Sequence, residues 1–505
     1  MPIPSVDLFV IGGGINGAAV ARDAAGRGLA VMLAERDDYA AATSSASSKL
    51  IHGGLRYLET FEFGLVRESL REREQLLHSA PHLVEPLRFL LPITSVQSRP
   101  AWQVRLGLRL YDLFAGKTSL PRSGRLSTAE INSLPQLRER DLKTVLTYWD
   151  CRCDDARLVL ALLLDARERG ADVANNREVL GIHGLEDGYR VVFSEDGREQ
   201  EIDARFVVNA AGPWVNAVTR LCDDPPPARP LRLVRGSHIV LSMPKLTQVD
   251  AYTLQNADGR VVFTLPWLDG RYLVVGTTES PLRGDAIEAR CSDQERDYLL
   301  AAYNRYFEPP EGPAEPRHVP FSWSGVRALT DDGHAESRKV TRRAGIDFAK
   351  RGEGGFVTLY GGKLTTHRAL AEQVLGRLTS QDPSIPGPWT ADQPLYGGTL
   401  DRNQLMQLAE RGPESLAPAI RRRWAFTYGD QAQTLFDRIS QDSKRAREIA
   451  PGVVEAELAY SCEVEDARGP QDFLMRRTKL HYLLGPEDRA RIGRWFGNSA
   501  ETNLP

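Results

Sequence analysis

The feature that most constrains the fold is a glycine-rich turn near the N-terminus, between an apolar run and a stretch typical of a helix. The apolar run at 8–11 stops at a G-x-G-x-x-G pattern formed by Gly12, Gly14 and Gly17. Gly12 permits a tight turn, Gly14 lets a pyrophosphate approach the backbone, and Gly17 allows the helix to pack closely on its strand. A second apolar run ends at Glu35, where a carboxylate for ribose hydroxyls is expected. The combination predicts a dinucleotide-binding βαβ unit, with the phosphates at the helix N-terminus.

The composition limits the classes of protein to which the chain can belong. Its 505 residues are enough for about three domains, and a hydrophobic share of 42% with a charged share of 26% is ordinary for a globular protein. A net charge of −3 gives no support for nucleic-acid binding. The five cysteines include one C-x-C pair, Cys151 and Cys153, without the second pair that a zinc site needs. We therefore expect reduced thiols and no metal.

The sequence also shows neither pattern that predicts export or membrane insertion. The first residues lack the basic and apolar regions of a signal peptide and continue directly into the first apolar run. No run of about 18 apolar residues is present. We expect no signal peptide and no membrane-spanning segment.

Apolar runs that lie far apart in the sequence predict a discontinuous nucleotide-binding domain. The runs at 204–212 and 356–360 each meet small residues or glycines and are typical of further strands of the same sheet. Alternating segments bounded by Gly and Pro predict antiparallel strands at about 222–324, whereas the pattern at 60–148 is mostly helical. The predicted division is a nucleotide-binding domain (1–80, 149–221 and 325–381), a substrate or cap region (81–148 and 222–324), a Pro/Gly-rich linker (382–398) and a helical C-terminal domain (399–505).

Four other segments carry candidate polar residues, and each has an ordinary structural alternative. The Ser/Thr-rich stretch 42–56 offers donors for a pyrophosphate or a flavin edge, or forms a solvated loop. Arg327 has a planar fork that suits an anionic group, or forms a surface ion pair with the acidic residues 331–332. His238 lies in an alternating segment, where a histidine is often a satisfied structural residue. Lys363 follows two glycines and precedes a helix-like segment. From this position its side chain either reaches a ligand or is that of an ordinary loop lysine.

In their order along the chain, the motifs closely resemble those of the FAD-dependent, quinone-linked glycerol-3-phosphate dehydrogenases. The matching segments are GGGINGAAVARDAAGRG, TSSASSKLIHGGLRYLE, NAAGPWVN, GSHIVL, SGVRAL and GGKLTTHR. The resemblance covers nearly the whole chain and includes the segment RRTK at 476–479. It implies the α/β fold of the D-amino-acid oxidase-like flavoenzymes, with a Rossmann-like FAD-binding domain, an inserted, mainly antiparallel substrate domain and a C-terminal helical domain.

The resemblance also implies the cofactor, the substrate and the site residues. FAD takes a hydride from C2 of glycerol 3-phosphate, which becomes dihydroxyacetone phosphate. The implied catalytic residues are His238, Lys363 and Arg327, and the substrate is bound by these three together with Arg56 and Tyr57. The acceptor of the hydroxyl proton stays open between His238, Lys363 and water. The residues implied to bind FAD are Gly12, Gly14, Ile15, Asn16, Gly17, Glu35, Arg36, Thr43, Ser44, Ser45, Ser47, Ser48, Lys49, Leu50, Gly53, Gly54, Ala211, Gly212, Trp214, Gly362, Lys363, Leu364 and Thr365.

The family passes its electrons to a membrane quinone, which implies a cytoplasmic enzyme bound peripherally to the inner membrane, with an anionic membrane surface as a partner. We also expect a homodimer and no nucleic-acid partner. The best candidate for an anchor is the segment 98–120, because an apolar helix face with an aromatic residue and flanking arginines suits an anionic interface. That face carries Trp102, Leu106, Leu110 and Leu113, and another carries Arg105, Arg109 and Asp112. The alternative is an ordinary helix packed on the core, and the cluster 421–424 is a weaker second candidate.

Two other functions remain open at this point. One is a flavin oxidase that delivers electrons to oxygen from a glycerol phosphate or an amino acid. The other is a non-catalytic flavin-binding module that acts on a partner through its C-terminal helices. The complete set of motifs argues against a degenerate site.

Overall fold

The structure is a computed structural model that describes residues 3–94, 99–134, 136–138, 142–243, 248–256, 258–331 and 343–501. Parts of several predictions lie outside the described residues. They are residues 1, 2 and 332–342 of the predicted nucleotide-binding domain, residues 95–98, 135, 139–141, 244–247 and 257 of the predicted cap region, and 502–505 of the predicted C-terminal domain. Ser98 of the candidate anchor and Asp332 of the acidic pair are among them.

The β-strands of the described residues form two large sheets and one small hairpin. They are β1 (Ser5–Ile11), β2 (Val31–Ala34), β3 (Leu50–Ile51), β4 (Val84–Thr94), β5 (Gly124–Arg125), β6 (Leu142–Cys153), β7 (Asp172–Ala174), β8 (Arg177–Leu185), β9 (Gly188–Glu195), β10 (Arg198–Asn209), β11 (Leu231–Leu241), β12 (Ala251–Gln255), β13 (Val261–Trp267), β14 (Tyr272–Gly276), β15 (Ser280–Pro281), β16 (Phe321–Thr330), β17 (Gly345–Arg351), β18 (Gly354–Tyr360), β19 (Glu448–Ala450) and β20 (Val453–Val454).

The α-helices of the described residues cover the first sheet, flank the second and make up most of the C-terminal region. They are α1 (Ile15–Gly26), α2 (Phe63–Ser79), α3 (Ala101–Ala115), α4 (Thr128–Asn132), α5 (Asp155–Glu168), α6 (Val215–Thr219), α7 (Asp293–Tyr306), α8 (His367–Gln381), α9 (Arg402–Arg411), α10 (Pro418–Tyr428), α11 (Ala432–Gln441), α12 (Glu455–Glu463) and α13 (Pro486–Glu501).

The first sheet is assembled from distant parts of the chain. Its order is β17-β18-β10-β1-β2-β7, and β9 and β8 continue from β10 as an antiparallel pair. The neighbours from β18 to β7 run parallel, and β18 is buried along its whole length, as expected for a strand covered on both faces. Helix α1 packs against α5 and α8. The strands expected at 204–212 and 356–360 therefore join the first βαβ unit, as β10 and β18.

The second sheet is antiparallel except for the pair β4 and β12. Its order is β15-β11-β14-β13-β12-β4-β6-β3, with β16 also on β11. Strands β11 to β15 come from the block predicted to be antiparallel. The strand β16 continues to Thr330, past the boundary predicted at 324, and β6 crosses the boundary predicted at 148.

The prediction that 60–148 is mostly helical was wrong for two long strands. Helices α2 and α3 lie there, but β4 and β6 pair along almost their full length and form the middle of the second sheet. The segment of β4 reads VEPLRFLLPIT, and a short apolar run without clear alternation does not distinguish a buried strand from a buried helix.

The C-terminal region is helical, with the hairpin of β19 and β20 inserted before α12. The second candidate anchor, 421–424, is contradicted by this packing. Trp424 is fully buried, the guanidinium of Arg423 pairs with Glu457, and Arg421 donates to backbone carbonyls. Because Trp424 lies in the core and Arg421 and Arg423 form hydrogen bonds within the domain, these three side chains are not available to bind a membrane.

The segment predicted as a linker, 382–398, packs against the nucleotide-binding unit. The Nε1 atom of Trp389 donates to the carbonyl of Asp23 at 3.0 Å, and a Cβ atom on Gly26 would lie 2.0 Å from the Trp389 ring. Leu395 is buried, and its N–H donates to the carbonyl of Ser79 at 2.8 Å. The segment has no helix or strand, yet its contacts fix it to the rest of the protein.

Candidate active site

A cavity of about 1640 Å³ is lined by residues of both sheets and of the C-terminal domain. It contains the loops that follow β1, β2 and β18, which is the edge where parallel sheets bind ligands. All the predicted site residues line it except two, Gly17 and Gly53. These two lie behind the wall. A Cβ atom on Gly17 would be 1.9 Å from the carbonyl oxygen of Gly12, and one on Gly53 would be 2.5 Å from Leu70.

The glycine motif forms the tight turn that the sequence predicts. Gly12 has a φ of +110°, and its N–H donates to the carbonyl of Ala34 at 2.8 Å. Gly14 precedes α1 in extended conformation, where a Cβ atom would lie 3.1 Å from the hydroxyl of Ser44. That hydroxyl accepts the N–H of Ile15 at 3.0 Å. The turn therefore offers backbone without side chains at the N-terminus of α1, as a pyrophosphate requires.

Glu35 ends β2 with its carboxylate held by the backbone. One oxygen accepts the N–H of Gly13 at 2.6 Å and the other accepts that of Asp37 at 2.8 Å. Burial raises the pKa of Glu35, and the two backbone hydrogen bonds partly offset that rise. Beside it, the guanidinium of Arg36 lies 5.3 Å above the ring of Trp214. The carboxylate and this exposed stack form the side of the cavity where a ribose is expected.

The Ser/Thr-rich stretch is part of the cavity wall and is not a solvated loop. Thr43 donates to the carbonyl of Val326 at 2.7 Å, and Ser47 donates to Asp155 at 2.8 Å. The ammonium of Lys49 bonds both Asp155 oxygens at 2.9 Å and the carbonyl of Ser45 at 3.0 Å. The buried Lys49 lines the cavity with its charge paired to Asp155, and its contact with the cofactor stays a prediction.

The loop after β18 completes the cofactor side. Gly361 and Gly362 have φ of +70° and +98°, and the side-chain amide of Asn16 donates to the Gly361 carbonyl at 2.8 Å. A Cβ atom on Gly362 would lie 2.6 Å from that amide. Thr365 accepts the N–H of His52 at 3.2 Å. The remaining predicted residues of this wall are Leu50, Gly54, Ala211, Gly212 and Leu364.

Two arginines converge on one carboxylate at the other end of the cavity. Arg327 lies in β16, and Arg56 lies in the short helical turn Leu55–Leu58. Their guanidinium nitrogens are 3.4 Å and 3.6 Å from the same oxygen of Glu279. Glu279 follows β14 without any motif of its own, so no pattern in the sequence points to it. The ammonium of Lys363 lies 3.7 Å above the ring of Tyr57, beside this cluster.

His238 lies in β11 between β14 and β16. Its Nε2 atom is 2.8 Å from the hydroxyl of Ser48, and its ring stacks on Trp323 with centroids 5.5 Å apart. Burial, together with the positive charges of Arg327 and Lys49, lowers the pKa of His238 to about 3. Its Nδ1 atom has no hydrogen-bond partner among the described residues. The imidazole is therefore neutral near pH 7 and keeps the capacity to accept a proton.

The C-terminal domain supplies part of the wall, which the sequence analysis did not predict. The residues involved are Gln471, Asp472, Met475, Arg476, Lys479 and Tyr482. The only sequence signal was the RRTK segment, which carried no assigned role.

The candidate anchor contains the exposed helix α3. Val104, Leu108 and Tyr111 pack into the core, while the face predicted to be apolar points outward. Trp102 is 68% exposed and Leu106 is 50% exposed. Leu113, Phe61 and Phe63 extend this apolar surface.

Among the described residues, no helix has both the length and the apolar character needed to cross a bilayer. In the same part of the chain, no group of three or more His, Cys, Asp or Glu side chains is arranged to hold a metal ion.

Two family models match the chain. One, described as FAD dependent oxidoreductase, matches residues 7–373, and the other, described as the C-terminal domain of alpha-glycerophosphate oxidase, matches residues 388–492. The chain belongs to the FAD-dependent oxidoreductases. The predicted fold class and the predicted cofactor, FAD, are confirmed. The cradle fits this cofactor, because the three glycines leave the N-terminus of α1 open and Glu35 lies at the end of β2.

Individual relatives narrow the family further. The chain is 41% identical over 502 residues to a glycerol-3-phosphate dehydrogenase of Pseudomonas aeruginosa, covering 97% of this chain and 94% of the relative. It is 41% identical over 499 residues to a D-erythritol 1-phosphate dehydrogenase of Brucella abortus, covering 98% of each. A solved glycerol-3-phosphate dehydrogenase of Bacillus halodurans, complexed with FAD, superimposes with a TM-score of 0.77 at 27% identity, covering 99% of this chain and 94% of that one.

Proposed function

We propose that the protein oxidises sn-glycerol 3-phosphate to dihydroxyacetone phosphate. The observation that carries the proposal is that Arg56 and Arg327 meet at the carboxylate of Glu279 inside the cavity that also holds the FAD cradle, where a phosphate would compete with that carboxylate for both arginines. A phosphate monoester dianion needs fixed cations, and the planar fork of arginine suits it. The relatives named glycerol-3-phosphate dehydrogenase support the same substrate.

Each residue of the substrate end has a separate task. When bound, FAD supplies the hydride acceptor for C2 of the substrate. Arg56 and Arg327 bind the phosphate and thereby position C2. Lys363, held over Tyr57, adds positive charge beside the reacting carbon. His238 accepts the proton of the C2 hydroxyl as the hydride leaves, so the alcohol loses one hydride and one proton, which together are two electrons and two protons.

Substrate binding makes His238 a better base. In the free protein, burial and the charge of Arg327 lower the pKa of His238 to about 3. A phosphate dianion next to Arg327 offsets that positive charge, so it raises the pKa of His238. General-base catalysis is most effective when the pKa lies near the working pH. The phosphate thus contributes to chemistry as well as to binding.

Anaerobic titration tests the substrate and separates the alternatives. Under exclusion of oxygen, glycerol 3-phosphate should reduce the bound flavin and bleach its absorbance, whereas glycerol should not. D-Erythritol 1-phosphate is the second substrate to titrate, because an equally similar relative carries that name. Bleaching by the erythritol ester alone would move the assignment to that substrate. Bleaching by none of the phosphate esters would contradict the proposal and favour a non-catalytic module.

The electron acceptor is proposed to be a membrane quinone and not oxygen. The cavity is also lined by Gln103, Leu106 and Leu110 of α3 and by Phe61 and Phe63, so its wall continues into the exposed apolar surface. An enzyme docked through this surface would meet a quinone without leaving the membrane. Peroxide formation at a rate equal to dye reduction would contradict this and favour the oxidase.

We propose that α3 anchors the enzyme at an anionic membrane surface. In a variant with Trp102→Ser, Arg105→Glu and Leu106→Ser, sedimentation with anionic vesicles and quinone reduction should fall, while reduction of a water-soluble dye should persist. Binding of the wild type should also weaken in high salt, since the Debye length, the distance over which charges attract each other, falls to about 3 Å at 1 M. The matched control replaces two exposed apolar residues outside the cavity, Leu180→Ser and Val249→Ser, and should sediment like wild type.

If the triple variant folds and sediments like wild type, α3 is not the anchor. The cytoplasmic face of the inner membrane and the homodimer remain predictions from the family resemblance. Cell fractionation checks the first, and the mass of the purified protein by light scattering checks the second.

A further inference from the structure

The segment 476–479, RRTK, belongs to the C-terminal domain but reaches two loops of the FAD cavity. It overlaps the end of a π-helical turn, Asp472–Arg477. Arg476 and Lys479 line the cavity directly. None of the tasks assigned above uses this segment, although two of its charged side chains, Arg477 and Lys479, are buried.

The arginines of this segment hold the loop that follows Glu35. Arg477 donates to both oxygens of Asp38 at 2.7 Å and 2.8 Å, and Arg476 pairs with the same carboxylate. Arg477 is fully buried and Asp38 is 6% exposed. Since Asp38 lies three residues after Glu35, the pair fixes the loop on the ribose side from outside the nucleotide-binding sheet.

The lysine of this segment holds the Ser/Thr-rich wall. The ammonium of Lys479 is 2.9 Å from Asp154 and 3.7 Å from Asp155. Asp155 in turn accepts from Lys49 and from the hydroxyl of Ser47. Through this one short segment, the C-terminal domain therefore contacts Asp38 in one loop beside the cofactor site. It also contacts Asp154 and Asp155, which hold the other loop.

The electrostatics agree with a fixed connection. Burial by itself raises the pKa of Asp38, but the hydrogen bonds and charges of Arg477 and Arg476 outweigh it, so the pKa is lowered. Asp38 is thus ionised near neutral pH in the folded protein. Removing one partner of such a buried pair leaves a charge without compensation, which is far more costly than losing a surface pair.

We propose that the RRTK segment is the part of the FAD site supplied by the C-terminal domain, and that docking of this domain and binding of FAD strengthen each other. The proposal rests on FAD as the cofactor and does not depend on the identity of the substrate. By linkage, each process must favour the other by the same factor.

A pair of matched variants tests the proposal through FAD affinity. Arg477→Met removes a buried interdomain arginine whose partner lies on a cofactor loop. Arg402→Met removes another interdomain arginine, whose partner Glu85 lies away from the cavity and does not contact Arg477. Titration of the apoproteins with FAD should show an affinity for Arg477→Met about 5- to 150-fold weaker, the usual range of coupling, and an affinity for Arg402→Met close to wild type. Arg477→Lys should lie between, because lysine keeps the charge but lacks the fork.

Equal losses in the two Met variants would mean general destabilisation and would overturn the proposal, as would normal affinity in a folded Arg477→Met protein. A second measurement needs no variant and decides the matter if Arg477→Met does not fold. FAD should slow proteolytic cleavage of the wild-type chain within 382–398 relative to the apoprotein. Equal cleavage rates with and without FAD would overturn the proposal. A failure of the substrate assignment leaves both readouts unaffected.

Discussion

The cofactor wall and the substrate wall of the cavity are built in opposite ways. Around the FAD cradle, the groups that face the ligand are mostly backbone, exposed by Gly12 and Gly14 and aimed by the N-terminus of α1. At the substrate end they are charged or aromatic side chains, such as Arg327 and His238, on the second sheet. The cofactor wall depends on glycines, which leave room for the ligand because they carry no side chain. The substrate wall depends on particular side chains.

This difference decides which changes each wall tolerates. A backbone site fails when a side chain is added, because the added atoms occupy the space of the ligand. A side-chain site fails when a side chain is removed, and it loses only the interactions of that group. Additions should therefore abolish the cofactor site outright, whereas removals should weaken the substrate site by finite factors.

The largest expected effect is that of Gly14→Val. Its side chain would fill the approach of the pyrophosphate next to Ser44, so the protein should purify without FAD. The matched control is Gly376→Val, at an exposed position of α8 where a Cβ atom meets nothing within 4 Å. Flavin content per chain, measured after purification, is the readout. A normal flavin content in Gly14→Val would show that the cofactor wall does not depend on exposed backbone at this glycine.

His238→Asn should give the next largest effect and leave FAD binding intact. Loss of a general base typically costs about 10²–10⁴-fold in kcat. Because the pKa of His238 is about 3 in the free protein, its imidazole is neutral from pH 5 to pH 8. The pH profile of kcat/KM should therefore show no step from this residue near its ordinary pKa of about 6.5. A step near that value that disappears in the variant would contradict the lowered pKa, whereas an unchanged kcat in the variant would contradict the role of His238 as the base.

Arg327→Ala should have the smallest effect of the three. Losing a charge-assisted hydrogen bond of about 1.5–3 kcal/mol corresponds to roughly a 10- to 150-fold rise in KM, and Arg327→Lys should restore part of it. Arg296→Ala, an arginine of α7 that pairs only with neighbouring acids among the described residues, serves as the control. Steady-state kinetics with glycerol 3-phosphate measure all three. An unchanged KM in Arg327→Ala would show that the phosphate binds elsewhere.

The same contrast explains what could be predicted from the sequence. The cradle was readable because its glycines and Glu35 lie within one contiguous strand-turn-helix-strand unit with a fixed physical meaning. The fold class followed from that unit and from the family motifs. At the substrate end, Arg56, His238 and Arg327 were found only through the family resemblance, because no spacing rule connects residues so far apart in the chain.

The errors have the same physical origin. Glu279 was missed because its importance comes from two arginines that approach it only in the folded protein. The strand β4 was missed because tertiary pairing with β6, and not a local pattern, determines its conformation. The cluster at 421–424 looks like a surface candidate in the sequence, because its charge does not reveal that Trp424 is buried.

The strand order of the first sheet also affects how the protein folds while the ribosome synthesises it. β1 lies beside β10, and β10 lies beside β18, so the sheet stays incomplete until residue 360 has been made. At roughly 5–20 residues per second, about 17–70 s separate the synthesis of residues 11 and 360. Throughout that interval, the nascent chain carries apolar strands with unpaired edges, which are prone to aggregate. The supply of chaperones that cover such edges during translation should therefore affect the yield of folded protein.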